Sequence, residues 1–385
     1  MLYEKVDGKV KCSLCYRRCL IDTNKTGFCN VRKNIDGKLY SLVYGKLASY
    51  SVNPIEKKPF FHYYPGSKWF SFSTVGCNFR CLHCQNYDIS QAKPGEVPDF
   101  DVPPEKIVQM AKDYDTTGIS YTFTEPTVFF EYCYDTGIIA RKNNLKNCFV
   151  TNGYMTPETV KLSEDFLDAV RIDLKGDDSH YKKICGNIKL ENVLECISNF
   201  YKTKMHLEII TLVIPDENDN RGTVRMFADF LLSLSSEIPW HFTRFYPCYK
   251  MLDKKITPVS TLEKMRNWAS DFGMKYVYIG NVPGHEYENT HCPNCDALLI
   301  ERWGFSIKKN VLENNKCPSC GEKIPIVGVG FKHPPLLTEK PKVFPKMLGK
   351  CQRHFPSHTP YTLNLYNPVI IFPVYARSSS GQEKQ

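Results

Sequence analysis

The sequence predicts an α/β fold, a partial or complete (β/α) barrel with an N-terminal Cys-rich segment and a C-terminal zinc-ribbon-like module. Three observations predict it. Short apolar runs alternate with helix-period stretches between Trp69 and Gly280, polar motifs follow nearly every run, and cysteines cluster after the first run and towards both ends.

The first run, Phe70 to Val75, interleaves aromatic and hydroxyl residues. Ile119 to Phe123, Cys148 to Thr151, Ala169 to Leu174, Leu207 to Val213, His241 to Phe245 and Tyr276 to Ile279 are further strands by their β-branched and aromatic content. Between them, Glu105 to Tyr114, Thr127 to Asn143, Pro157 to Phe166, Leu190 to Tyr201, Thr223 to Leu234 and Leu262 to Phe272 carry apolar residues at helical spacing. Thr156 and Pro157 supply a capping hydroxyl and a first-turn proline. A strand followed each time by a helix of similar length requires a parallel sheet. Six or seven such units in about 210 residues suit a barrel better than a short doubly wound sheet. The expected division is 1–66 for the Cys-rich segment, 67–285 for the barrel core, 286–331 for the ribbon-like module and 332–385 for a Pro-rich basic tail without long regular elements.

A chain of 385 residues with 42% hydrophobic and 24% charged residues buries a sizeable core, which excludes general disorder, collagen and coiled coils. No apolar stretch approaches the roughly 20 residues of a membrane helix, so a soluble cytoplasmic protein with no membrane partner is expected. The net charge is +9, of which 332–385 carries +6 (six Lys and two Arg against two Glu), leaving +3 for the rest. The basic balance therefore belongs largely to the tail, and a nucleic-acid partner is disfavoured. A non-catalytic zinc-ribbon protein that binds nucleic acid is the rival reading. It explains neither the barrel pattern nor the three-cysteine group.

Seventeen cysteines, an odd number, behind a start that lacks the basic and apolar segments of a secretory signal, point to reduced thiols holding metal. Cys292, Cys295, Cys317 and Cys320 form two C-x2-C knuckles separated by 21 residues, the pattern of a tetrahedral four-thiolate site. Zinc is the expected ion, although spacing does not separate it from a single iron. Cys12, Cys15, Cys19 and Cys29 are less regular, with structural zinc the first reading and an auxiliary iron–sulfur cluster the second. Cys77, Cys81 and Cys84 form a C-x3-C-x2-C group of only three, directly after the first strand. Three thiolates on a [4Fe–4S] cube leave one iron open to a non-protein ligand, which is where chemistry would occur. Cys133, Cys148, Cys185, Cys196, Cys248 and Cys351 sit in apolar or helical surroundings and are expected to pack as small hydrophobes.

Barrels place active sites at the C-terminal ends of their strands. Cys77 to Cys84 follows the first strand, Thr124, Glu125 and Pro126 the second, Thr151, Asn152 and Gly153 the third, Asp173 and Lys175 the fourth, Pro215 to Asn218 the fifth and Tyr246 to Tyr249 the sixth.

With Asn78, Phe79 and Arg80 between its cysteines, this group resembles the signature of radical SAM enzymes. The stretch from Cys12 to about Cys320 resembles the AmmeMemoRadiSam-system members of that family, which are similar to pyruvate formate-lyase activating enzymes. The resemblance implies a [4Fe–4S] cluster on Cys77, Cys81 and Cys84 that binds S-adenosylmethionine and cleaves it reductively to a 5′-deoxyadenosyl radical. It implies a low-potential electron donor of flavodoxin or ferredoxin type and a substrate that gives up a hydrogen atom, either a protein or a small molecule or RNA. Glu125 stands where the family contacts the methionine ammonium, although the family's preceding glycines are absent here. Asp173 and Lys175 match a pair serving ammonium and carboxylate. His83 occupies the place of an aromatic residue beside adenine, Asn152 is placed to reach the ribose or methionine, and Tyr249 replaces a histidine. No catalytic side chain beyond the cluster ligands is assigned.

Overall fold

The structure, a computed structural model, describes residues 2–328; the expected tail, 332–385, and Cys351 lie outside the described residues. Its centre is an open eight-stranded sheet formed by β1 (Ser49–Pro54), β2 (Lys68–Ser73), β3 (Gly118–Tyr121), β4 (Lys146–Thr151), β5 (Ala169–Asp173), β6 (His206–Val213), β7 (Trp240–Arg244) and β8 (Val277–Gly280), in that spatial order. Strands β2 to β8 are parallel. All seven coincide with the expected strands to within a few residues, and the sheet is a partial barrel of the expected α/β class.

Strand β1 was not expected. It pairs antiparallel with β2, from Ser49 opposite Ser73 to Pro54 opposite Lys68, so the sheet begins inside the segment 1–66 rather than at 67. Its sequence, Ser-Tyr-Ser-Val-Asn-Pro, has no helix before it and breaks the βα period that revealed the others. An antiparallel edge strand covers the open side of β2 and stops it from pairing with another chain.

The helices behave as their spacing predicts. In α1 (Pro104–Asp113), Pro104, Ile107, Val108 and Ala111 are buried on one face. Helix α2 (Phe130–Lys142) follows β3 through a short 3-10 turn. Helix α3 (Pro157–Ser163) starts at Thr156, whose hydroxyl accepts from the Thr159 N–H, with Pro157 in the first turn. After β5 comes the short α4 (Asp178–Lys183), then α5 (Leu190–Tyr201), whose buried face includes Cys196. Asn220 caps α6 (Arg221–Leu234), and α7 (Val259–Asp271) buries Leu262, Met265 and Ala269. No described helix is long and apolar enough to cross a membrane.

The two Cys-rich parts occupy opposite ends of the barrel. The N-terminal one is a three-stranded sheet (Tyr3–Val6, Lys9–Cys12, Leu20–Ile21) followed by a hairpin (Arg32–Ile35, Lys38–Ser41). It docks where strands end: Tyr16 N–H donates to Tyr154 O at 3.0 Å, and Arg17 Nη2 donates to Gly186 O at 2.6 Å. The C-terminal one is a three-stranded antiparallel sheet (Thr290–His291, Leu298–Trp303, Ser306–Asn310) with its own apolar core against Phe61, Tyr276 and Tyr278. These residues lie where strands begin. Arg302 Nη2 donates to Phe61 O at 2.9 Å, and the Phe61 and His62 N–H groups donate to Glu208 near the start of β6 at 3.0 and 2.8 Å.

Candidate active site

The loop after β2 carries Cys77, Cys81 and Cys84 on the C-terminal rim of the sheet. Its backbone is held from two sides: Arg80 N–H donates to Cys185 O at 3.0 Å and Leu82 N–H to Ile184 O at 2.9 Å, while Lys250 N–H, after β7, donates to Leu82 O at 2.9 Å. Glycine is required at Gly186, where φ is +88° and a Cβ would fall 2.8 Å from Arg80 Cβ. Cys81 is buried and Cys77 and Cys84 half-buried. Phe79 N–H donates to Cys77 Sγ at 3.3 Å and Ser90 Oγ lies 3.2 Å from Cys84 Sγ. Burial, reinforced by the charge of Glu125, pushes the Cys77 thiol well above its usual range. At Cys81 a hydrogen bond with Cys185, then burial, does the same. Thiolates here therefore need a cationic partner, which a metal centre supplies.

The other expected residues gather around this loop. Asn152, at the end of β4, donates from Nδ2 to Asn78 Oδ1 at 2.7 Å and lies 3.9 Å from Cys77 Sγ. Glu125 is buried between β3 and α2. Its Oε1 accepts from Thr127 N (3.2 Å), Thr127 Oγ1 (2.5 Å) and Thr151 Oγ1 (2.7 Å), and its Oε2 from Asn152 N (2.8 Å). Burial raises its pKa and these hydrogen bonds counter part of the rise. Both oxygens are thus engaged by protein, and the carboxylate ties the third and fourth strand ends together.

Asp173, last in β5, pairs with Arg171 and with Lys175, whose Nζ is 2.6 Å away. Burial works against the Asp173 anion, but Arg171 and then Lys175 hold its pKa below the usual carboxylate range. The two charges matched to opposite ends of one zwitterion thus neutralise each other in the described state. His83 is buried with its ring centroid 6.2 Å from that of His180; burial, then the nearby Lys175, keeps it neutral. Tyr249 stacks on Tyr87 at 4.5 Å beside the loop.

His180 and Arg171 were not anticipated. Both His180 nitrogens, Arg171 Nε, His83 Nδ1 and Asn152 Oδ1 are buried without a hydrogen-bond partner. Such orphans are costly unless a ligand meets them. Arg171 had a sequence signal, since it shares a strand face with Asp173 two residues on. His180 had none.

The radical SAM superfamily model matches residues 71–228, the span from β2 through most of α6. The uncharacterized protein MJ0808 of Methanocaldococcus jannaschii is 50% identical over 331 residues, covering 85% of this chain and 98% of that one. The chain belongs to the radical SAM superfamily. A putative glycyl-radical enzyme activating enzyme of the same organism, MJ1632, is 28% identical over 211 residues, covering 53% of this chain and 76% of that protein. A solved domain of a pyruvate-formate lyase-activating enzyme from Bacteroides vulgatus covers 43% of this chain and 99% of its own length at 19% identity, with a TM-score of 0.38.

A radical SAM protein is an enzyme, and membership implies S-adenosylmethionine and a [4Fe–4S] cluster. The residues fit both. Three buried or half-buried cysteines lie on one loop, and unmet polar atoms of His83, Asn152 and His180 lie on or beside the surrounding loops.

The C-terminal cysteines form a different kind of group. Cys292 Sγ is 3.6 Å from Cys320 Sγ and Cys295 Sγ 3.7 Å from Cys317 Sγ, and all four lie within 4.8 Å of one another. Zn–S bonds of about 2.3 Å in a tetrahedron place sulfurs about 3.8 Å apart, so the geometry suits one ion. The knuckles sit at the end of the barrel opposite Cys77.

Proposed function

We propose that this radical SAM enzyme abstracts a hydrogen atom from a substrate held at the C-terminal rim of the barrel, with a polypeptide as the favoured substrate class. The observation that carries the chemistry is the three-cysteine loop ringed by unmet polar atoms. When bound, the cluster and S-adenosylmethionine supply reductive cleavage to a 5′-deoxyadenosyl radical. The chain's own part is to bind and orient. Cys77, Cys81 and Cys84 hold three irons, Asn152 and His83 meet polar edges of the cofactor, and Asp173 and Lys175 exchange their mutual pair for its ammonium and carboxylate. Glu125 fixes Asn152 from behind. A low-potential electron donor of flavodoxin or ferredoxin type completes the reaction. Cys292, Cys295, Cys317 and Cys320 hold a structural zinc, and the divisions 1–66, 67–285 and 286–331 remain useful names for the three parts, with β1 contributed by the first. The protein-substrate reading leans on the relative named as a putative glycyl-radical enzyme activating enzyme.

Anaerobically reconstituted protein should release 5′-deoxyadenosine under a strong reductant, and Cys81→Ala should abolish it. A full cluster without cleavage overturns the proposal. Deuterium appearing in 5′-deoxyadenosine from a labelled partner protein supports the polypeptide class.

One observation favours a second reading, a small anionic substrate. Lys58 is only 4% exposed and its ammonium has no ion-pair or hydrogen-bond partner among the described residues. It lies 4.6 Å from the Phe123 ring, with the positive charge of Arg171 close by, and burial followed by Lys57 lowers its pKa to about 7. An uncompensated buried cation favours an anion beside it. Deuterium transfer from a labelled small acid, weakened in Lys58→Met, would select this reading; unchanged turnover in that variant would reject it.

A further inference from the structure

Cys12, Cys15, Cys19 and Cys29 have no part in the site described so far. Cys12 ends one strand, Cys15 and Cys19 lie in the turn to the next, and Cys29 precedes the hairpin. The four line a single pocket together with Arg17, Arg32 and Asn78.

Their spacing separates two kinds of metal site. Among the described residues, only the C-terminal group brings its sulfurs within 4.8 Å of one another, as a single ion demands. Neither the N-terminal four nor Cys77, Cys81 and Cys84 do so. A four-iron cube gives each thiolate its own iron and so holds the sulfurs farther apart than one ion does. The N-terminal four thus group with the cluster loop rather than with the knuckles. Arg17 lines the same pocket and offsets part of the negative charge of such a centre, whereas the charge of Arg32 is met by Glu131.

A second, independent observation marks the cavity as a ligand site and ties it to the cluster loop. Asn78, 1% exposed, lines the cavity with its Nδ2 buried and lacking any hydrogen-bond partner. The same side chain accepts from Asn152 Nδ2, which lies 3.9 Å from Cys77 Sγ. The two backbones also touch. Gly76 adopts φ +95°, and a Cβ there would lie 3.0 Å from Cys29 O and 2.6 Å from Val31 Cγ1.

We propose that Cys12, Cys15, Cys19 and Cys29 hold a second [4Fe–4S] cluster, ligated by protein at all four irons, that passes single electrons from a low-potential flavin or iron–sulfur protein to the cluster on Cys77, Cys81 and Cys84. Each transfer oxidises the donor by one electron, reduces the second cluster by one and returns it to its resting state as its neighbour is reduced. No bond forms or breaks and no proton moves. The relay rests on the reading given under Proposed function; the cluster does not.

Full-length wild-type protein reconstituted anaerobically should contain about eight irons and eight sulfides per chain, with about one zinc. The triple variant Cys77→Ala, Cys81→Ala, Cys84→Ala should keep about four irons and four sulfides, and a reduced-cluster electron paramagnetic resonance signal that S-adenosylmethionine does not alter. A triple variant holding a second zinc, a lone iron or two irons overturns the cluster, and the wild-type iron and sulfide content decides the point if that variant fails to fold. For the relay, Cys15→Ala should keep the cofactor-responsive signal and cleave S-adenosylmethionine with a small chemical reductant, yet lose cleavage driven by reduced flavodoxin. Equal rates with both reductants overturn the relay. Wild type with eight irons that cleaves nothing would instead defeat the proposed function, leaving the second cluster standing.

Discussion

Glu125 gains its role from its surroundings. Four hydrogen bonds from Thr127, Thr151 and Asn152 converge on its carboxylate, so it acts as a clamp between strand ends as much as a surface for a ligand. Glu125→Ala should orphan buried donors and cost roughly 3 kcal/mol or more, visible as a lower denaturant midpoint, whereas Glu125→Gln keeps an acceptor and should cost less. Gly76→Ala meets both a left-handed backbone and Val31 Cγ1 at 2.6 Å. It should destabilise by about 1–3 kcal/mol and lower the iron retained after reconstitution, measured against wild type on one preparation. The cysteines, Glu125, Asn152, Asp173 and Lys175 were legible because each sits in a short polar motif after an apolar strand. His180 and Lys58 were not, since a lone titratable residue carries no spacing and only tertiary burial makes it unusual.

At the scale of elements, periodicity did most of the work. Apolar residues three and four apart marked the buried faces of α1, α2, α5 and α6, and Cys133 on α2 and Cys196 on α5 packed there as the flanking pattern required. Two Asp-Gly pairs at positive φ, Asp7 with Gly8 and Asp36 with Gly37, make the N-terminal hairpin turns, a signal that was present in the sequence. Strand β1 had no such signal, being polar and defined by its partner. The segment crossing the start of the barrel, Phe60 to Tyr64, is fixed by a buried network. His62 Nδ1 must donate to Pro325 O at 3.2 Å, so Nε2 accepts from Tyr278 Oη at 2.6 Å and the ring is neutral. Burial lowers the His62 pKa to about 3. The unfolded chain takes up a proton below about pH 6.5 while the folded one does not, so stability present above that pH is lost as pH falls towards the folded value. Unfolding free energies from urea titrations should fall between pH 6.5 and 4, by up to about 1.4 kcal/mol per pH unit from this group. His62→Gln should flatten that slope.

The described residues form a partial barrel with Cys-rich parts at its two ends, and their separation has a testable consequence. The C-terminal module touches the barrel where strands begin, through Phe61, Tyr276 and Tyr278, far from Cys77. Converting Cys317 and Cys320 to serine should remove about one zinc and lower the melting temperature, with iron content and the cofactor-responsive signal unchanged. The N-terminal segment lies at the other end, against the cluster loop, so its variants should change iron content instead. The sequence by itself determined the alternation of strands and helices, the order of polar motifs and the grouping of cysteines, because each depends on residues close along the chain. Only the tertiary structure decided which end of the barrel each Cys-rich part covers, that β1 closes the edge of the sheet, and that the C-terminal sulfurs converge on one point. Those depend on contacts between residues far apart in sequence, and no local spacing records them.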